Sequence, residues 1–349
     1  MSLPTTLSRW YAANRRDLPW RPPPGRSSPV DPYAVLISEF MLQQTQVATV
    51  TAYFLRFMEA FPTLAALAAA SEHDVLRLWQ GLGYYSRARN LHATARKIAA
   101  DFDGQIPSRL DELTALPGIG RYTAGAIASI AFDRQAPILD GNVARVLCRL
   151  EKIESDPRNP KTVKQLWALA EKILPTRRCG QFNSALMELG ATVCTPRLPK
   201  CPICPVKRFC RAAAAGLQDV IPPPRKSRPT PVVNRWTICV HRNNRWLLER
   251  RPSTGRWGGL WQFPTIEPDA PAAISERIGL PIGDLREIGQ IHHALTHRRY
   301  VFTAFVATAR TMPQFSNRKW IRLEELHEFP RSRPQLKIAQ MIRASPPPE

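Results

Sequence analysis

The sequence predicts two unlike domains in one chain, an all-α domain followed by an α+β domain. Three observations carry that expectation. Between Leu7 and Cys210 apolar residues recur at helical spacing, and β-branched alternation is scarce. The stretch 221–231 then holds five prolines, two arginines and one lysine, a composition that ends any helix and makes a semi-extended basic linker. Beyond it, short runs rich in β-branched and aromatic residues alternate as strands do. A length of 349 residues accommodates about two domains of ordinary size.

Taken in order, amphipathic patterning places helices over 34–46, 50–60, 72–79 and 163–173. Pro62, Gly81 to Gly83, Pro107 and Pro117 to Gly120 break the chain between helices. The first domain therefore runs over 1–220, the linker over 221–231 and the second domain over 232–345. In the second, strands over 232–240 and 246–248 flank Asn243-Asn244, a polar hairpin turn. A third strand falls at 300–307, and 324–326 and 335–343 read as helical. The proline tail at 346–348 frays.

Lys plus Arg number 49 against 28 Asp plus Glu, a net charge of +21 that points to a polyanionic partner. A hydrophobic share of 44% suffices for sizeable cores and argues against wholesale disorder. There is no apolar run of membrane-spanning length, and residues 1–20 lack an apolar signal core, so the chain is expected in the cytoplasm, at the bacterial nucleoid.

In that compartment, clustered cysteines read as a metal site rather than as disulfides. The spacing is Cys194-x6-Cys201-x2-Cys204-x5-Cys210. Four thiolates hold either a structural zinc or a 4Fe–4S cluster, and ligation from one compact loop with a single x2 pair favours iron–sulfur. Lys200, Lys207, Arg208 and Arg211 interleave with the ligands, where a rigid loop presents them to phosphates. Cys148, Cys179 and Cys239 read as small core residues.

Leu116-Pro117-Gly118-Ile119-Gly120 joins one helical pattern to another that begins near Tyr122. The glycines allow a tight turn, and the following helix presents unpaired N–H groups that bind a phosphate. Alone, this motif is equally a helix–helix turn within a core. With the charge and the four-cysteine loop it becomes a DNA-backbone clamp through Gly118 and Gly120. Hairpin, Asp140 and the terminal cysteine loop together resemble the endonuclease III superfamily of helix-hairpin-helix DNA glycosylases. The match narrows with Ser38-Glu39-Phe40-Met41-Leu42-Gln43-Gln44-Thr45-Gln46-Val47, with Gly81-Leu82-Gly83-Tyr84-Tyr85-Ser86-Arg87-Ala88-Arg89-Asn90 and with Leu139-Asp140-Gly141-Asn142-Val143. These resemble the MutY family of adenine DNA glycosylases over nearly the whole chain. The resemblance implies a 4Fe–4S cluster on Cys194, Cys201, Cys204 and Cys210, a monovalent cation at the hairpin, and a monomer acting on double-stranded DNA.

It also assigns chemistry. Breaking an adenine–deoxyribose bond requires protonation of the leaving base and stabilisation of an oxocarbenium-like sugar, work that two carboxyls in different environments divide. Glu39 lies among Val35, Leu36, Ile37, Phe40, Met41 and Leu42, so burial raises its pKa. Asp140 precedes a Gly-Asn turn at an expected helix start, where it stays ionised. Alone, Glu39 reads as an ordinary helix residue and Asp140 as a helix cap. By resemblance, Glu39 protonates adenine at N7 and then assists water, Asp140 stabilises the cation, Tyr122 supports it and Asn142 positions water. Relatives that also cut the strand carry a lysine where this chain has Tyr122. An amine forms a Schiff base with the sugar and a phenol does not, so simple hydrolysis is expected. Gln44 and Tyr84 match residues that wedge into the duplex, Thr45 and Leu82 residues near the opposing 8-oxoguanine, and Trp20, Arg21 and Leu42 the adenine pocket. Arg87, Arg89 and Arg145 are candidates for phosphate contacts, and each is equally read as part of a solvated face. Ser184 stands where the family has Gln or Glu, and its shorter hydroxyl reaches less far.

The run Arg251 to Pro264 resembles the start of a Nudix fold. Laying the Nudix hydrolase signature from Gly258 to Leu280 puts Pro264, Ala272 and Ala273 at acid or Arg-Glu positions, and Arg277 after Glu276. With three of four carboxylates gone, Mg²⁺ for pyrophosphate hydrolysis is not held and a binding rather than catalytic domain is expected, which by resemblance to the adenine glycosylases is an 8-oxoguanine-sensing one. The sensing loop is expected at His293, Thr296 and His297, with Leu295 replacing the family's aromatic. The readings in competition are a bifunctional lyase, disfavoured by Tyr122; a thymine-mismatch glycosylase, disfavoured by Glu39 and the second domain; and a non-enzymatic DNA-binding module, disfavoured by the presence of both carboxyls.

Overall fold

The computed structural model describes residues 1–23, 30–224, 229–268, 273–295 and 297–344. The helices are α1 Leu3–Asn14, α2 Pro32–Leu42, α3 Val47–Ala60, α4 Leu64–Ala69, α5 Glu72–Leu78, α6 Tyr85–Asp101, α7 Leu110–Thr114, α8 Arg121–Phe132, α9 Gly141–Glu151, α10 Pro160–Ile173, α11 Cys179–Thr192, α12 Arg211–Ala214, α13 Ile274–Ile278 and α14 Arg333–Ala344. The strands are β1 Val232–Arg242, β2 Arg245–Arg250, β3 Trp261–Gln262, β4 Thr265–Ile266, β5 Arg286–Ala294, β6 Arg299–Thr308 and β7 Arg318–Ile321. Strands begin only at Val232 among the described residues, so the expected order of an all-α part before an α+β part is what the chain adopts. None of these helices is long and apolar enough to cross a membrane.

Two compact units form, 1–69 with 90–226, and 70–89 with 227–349. The inclusion of 70–89 in the second unit is not something a boundary at the proline-rich stretch anticipates. Within that unit the Tyr85 hydroxyl donates to the Arg331 carbonyl at 2.9 Å, and the Arg331 N–H donates to Gln80 Oε1 at 2.8 Å. These partners lie far apart in sequence, and no local pattern announces them.

The first unit is built on capped helices. Asp31 accepts from the Tyr33 N–H ahead of α2, and Pro32 takes the first helical position, where its missing N–H costs nothing. Tyr33 through Met41 are buried along the entire helix, so α2 is a core helix rather than an amphipathic surface one. The sequence reading carried this helix to Gln46. It ends at Leu42 because the chain swings out at Gln43, and Gln44 takes a left-handed φ of 57°. The core around α9, α10 and α11 gathers Leu147, Leu166, Phe182 and Leu186.

In the second unit a seven-stranded sheet runs in the order β3-β2-β1-β6-β5, with β4 on β1 and β7 on β2. β1 and β6 are parallel, and the other pairings are antiparallel. Asn243 and Asn244 both take positive φ in the β1–β2 turn, as a two-residue hairpin requires. Trp246, Phe263, Phe302 and Ile338 form one buried cluster, and Ile238, Leu247, Ile274 and Ile278 another. The linker residues 225–228, the tail 345–349, Ala272 and Thr296 lie outside the described residues.

Candidate active site

One cavity of about 1300 Å³ opens in the first unit. Its lining includes Trp20, Arg21, Glu39, Leu42, Gln44, Thr45, Tyr122, Asp140, Asn142 and Ser184, residues that the sequence scatters over five stretches. Each comes from an element end or a buried face. Glu39 sits in α2, Gln44 and Thr45 in the turn after it, Tyr122 at the start of α8, Asp140 and Asn142 at the start of α9, and Ser184 on α11. The left-handed Gln44 redirects the chain at the cavity rim, a place where backbone strain accompanies function.

Glu39 is 5% exposed. Burial pushes its carboxyl up to about 7; the Tyr122 hydroxyl pulls it back, Asp140 raises it and Arg21 lowers it. It is thus an acid that still holds its proton near neutral pH. Asp140 is the N-cap of α9, as the sequence suggests. The Val143 N–H donates to its Oδ1 at 2.7 Å and Asn142 Nδ2 to its Oδ2 at 3.1 Å. Burial raises Asp140 too, while these donors and the Arg145 guanidinium oppose it, so the ionised form expected there relies on them. Burial and the two carboxyls push the Tyr122 phenol well above its usual value; it stays neutral and donates to Met187 Sδ at 3.3 Å. Asn142 is pinned from behind. A Cβ on Gly190 would meet Asn142 Cβ at 2.8 Å, so only glycine allows α11 this close.

The three arginines expected on phosphates all have acceptors within the protein. Arg145 donates through Nε to the Cys194 carbonyl at 2.8 Å and through Nη2 to Asn142 Oδ1 at 2.9 Å and the Gly190 carbonyl at 2.8 Å. Arg87 is 6% exposed, reaches the Gly83 carbonyl at 3.2 Å and lies over the Trp79 and Tyr84 rings; burial lowers it to about 10. Arg89 donates to the Gly258 carbonyl within the second unit. Sequence shows that a residue is cationic but not which carbonyls the fold brings to it. What does remain open at the hairpin is backbone. Gly118 takes φ of 75° against Asn90, and Gly120 caps α8 with no side-chain bond, leaving the N–H groups of that helix start available.

Sequence reasoning also missed polar residues in the cavity wall. Arg16 and Glu188 line it, and Glu188 is buried against both Arg16 and Arg21. The signal was a lone acid between Met187 and Leu189, in a helix whose neighbours are apolar. In the second unit, Leu82 is buried and Tyr84 is exposed with a left-handed φ of 49°. His293 ends β5 half-buried beside Trp257, with ring centroids 6.1 Å apart, and His297 is exposed in the turn to β6.

Cys194, Cys201, Cys204 and Cys210 line one small pocket with Arg149, Lys200 and Lys207. None of the four forms a disulfide, and Arg149 Nη1 donates to Cys194 Sγ at 3.2 Å. Of the interleaved cations, Arg211 pairs with Glu151 at 2.9 Å and Arg208 donates to the Met1 carbonyl at 2.7 Å, while Lys200 and Lys207 are exposed.

Comparison with known proteins agrees with this arrangement. A family model described as HhH-GPD superfamily base excision DNA repair protein matches residues 37–172, and a NUDIX domain model matches 235–341. The adenine DNA glycosylase of Homo sapiens is 36% identical over 98% of this chain and 74% of its own length. That of Buchnera aphidicola subsp. Schizaphis graminum (strain Sg) is 32% identical over 97% of each chain. The chain belongs to the adenine DNA glycosylase family. Membership makes the protein a DNA glycosylase of base excision repair. Among solved structures, a thermostable thymine-DNA glycosylase superposes on 61% of this chain and 95% of its own, with a TM-score of 0.53 and 29% identity. An endonuclease III in a non-covalent DNA complex gives 0.51 at 24% identity, a likeness of fold.

Proposed function

We propose that this family member removes adenine opposite 8-oxoguanine or guanine in double-stranded DNA by hydrolysing the N-glycosidic bond, leaves the strand uncut, and so prevents G:C to T:A mutations. The carrying observation is one cavity holding two carboxyls with different partners, the buried Glu39 poised near 7 and the half-buried Asp140 held by the Val143 N–H, the Asn142 amide and the charge of Arg145. Glu39 donates its proton to adenine N7, and the leaving base departs neutral. Asp140 faces the sugar as it becomes cationic. The Glu39 carboxylate then accepts a proton from the attacking water, which Asn142 positions. Tyr122 keeps both carboxyls in place and, lacking an amine, forms no Schiff base. Trp20, Arg21, Leu42 and Ser184 wall the flipped base. Gln44, Thr45, Leu82 and Tyr84 meet the duplex and the opposing base, and Gly118 and Gly120 hold a phosphate.

The four cysteines fit a 4Fe–4S cluster better than a single ion. All line one pocket, and four thiolates from one compact loop are the donor set such a cluster takes. The cluster, when bound, supplies structural cross-linking of the 194–210 loop, and Lys200 and Lys207 on that loop offer charge to the DNA backbone. A monovalent cation at the hairpin rests on the resemblance alone. The division into a catalytic domain over 1–220 and an 8-oxoguanine-recognising domain over 232–345, with His293, Thr296 and His297 at its sensing turn, belongs to the same reading. So do a monomeric state and a nucleoid location. Lys plus Arg exceeding Asp plus Glu by 21 supports the DNA partner.

The test is Glu39→Gln on an A:8-oxoguanine duplex. The amide matches the acid in shape and carries no proton to give, so base removal is expected to fall roughly 10²- to 10⁴-fold while duplex binding persists. Turnover retained within about tenfold contradicts the assignment.

A further inference from the structure

We propose that Glu188 is a positioning residue for base removal: its carboxylate clamps Arg16 and Arg21 as a fixed cationic pair on the wall of the cavity that holds Glu39, and keeps their charge from acting on Glu39 uncompensated. Glu188 belongs to α11, and its side chain is fully buried. Arg16 donates to its Oε1 through Nε at 2.6 Å and through its backbone N–H at 3.2 Å, and to its Oε2 through Nη2 at 3.1 Å. Arg21 Nη2 donates to Oε2 at 2.9 Å, and Arg21 Nη1 reaches back to the Arg16 carbonyl at 3.1 Å. The guanidinium of Arg21 also lies over the Tyr11 ring, 5.5 Å from its centroid. Both guanidinium groups are thus tied directly to Glu188, that of Arg21 also to the Arg16 carbonyl and the Tyr11 ring.

Stability alone is a weak reason for this cluster, because replacing a buried ion network with apolar side chains is often neutral or stabilising. Its location gives a better one. Arg16, Arg21 and Glu188 all line the cavity. The charged groups that bear on Glu39 are Tyr122 from α8, Asp140 from the start of α9 and Arg21 from the segment before α2, and Arg21 favours the Glu39 carboxylate. Glu188 answers Arg21 from α11, and with Arg16 it leaves two cations against one anion. Removing the Glu188 charge leaves Arg21 uncompensated toward Glu39, which favours loss of its proton. An acid that loses its proton earlier stops working at a lower pH.

The inference rests on Glu39 as the acid. It is tested with the full-length, cluster-bearing protein by single-turnover adenine release across pH, with absorbance and circular dichroism confirming the fold. For Glu188→Gln the alkaline limb is expected to move down by about half a unit or more, an effect of about threefold at a fixed alkaline pH with the acid plateau largely kept. Glu188→Asp keeps the charge and is expected to keep the limb where the parent has it. Arg16→Met leaves the Glu188 charge to Arg21 alone and so offsets Arg21 more fully; the limb is expected to move upward, which decides the matter even where Glu188→Gln yields no folded protein. A limb that stays put in Arg16→Met, or a rate loss in Glu188→Gln that is uniform in pH, overturns the inference. Activity retained in Glu39→Gln overturns the underlying reading instead.

Discussion

Loss of solvent raises the pKa of both Glu39 and Asp140, and what separates them is which groups oppose it. Glu39 has a phenol nearby and one arginine, and stands at about 7. Asp140 has a backbone N–H, an amide and Arg145. A rate that needs protonated Glu39 is complete below about 7 and is lost as pH rises through that value. Single-turnover rates across pH are expected to fall by about tenfold per unit on the alkaline side. A rate that climbs with pH through 7 contradicts the proton-donor role. Both carboxyls were legible because each sits in a long specific motif. The internal acceptors of Arg87, Arg89 and Arg145 were not, since these are carbonyls of Gly83, Gly258, Cys194 and Gly190 that only the fold brings near. Glu188 was missed for the same reason: its partners lie far up the chain.

At the scale of elements, caps and loops do the positioning. Asp140 has two duties at once, capping α9 and facing the cavity, and a substitution separates them. Asparagine caps a helix about as well as aspartate, so Asp140→Asn is expected to shift Tm little while single-turnover base removal collapses. A matched loss of Tm and rate would assign Asp140 to structure alone. The cysteine loop ties back to the same helix, because Arg145 and Arg149 of α9 donate to the Cys194 carbonyl, Cys194 Sγ and the Thr195 carbonyl. Cys204→Ser is therefore expected to lower soluble yield and abolish iron–sulfur absorbance; one zinc per chain without sulfide in the parent contradicts the cluster. Helical spacing revealed most helices here. It overran the end of α2, where a left-handed glutamine interrupts a still-apolar pattern, and it passed over β5 and β7, strands whose burial alternates weakly.

The whole molecule couples a strongly basic chain to two units, one holding the cavity and the other the sheet. The change of texture near residue 221 made the succession of all-α and α+β parts readable. The assignment of 70–89 to the second unit was not readable, because Gln80 and Tyr85 find Arg331 only after the chain has folded. Lesion choice and base chemistry meet at this scale, and one measurement reaches both. The full-length protein is incubated under single-turnover conditions with duplexes carrying A:8-oxoguanine, A:G, A:C and T:G, with and without alkali. The account predicts adenine release from A:8-oxoguanine and A:G, fastest opposite 8-oxoguanine, with T:G untouched and strand cutting only after alkali. Thymine release, or strand cutting before alkali is added, would contradict it.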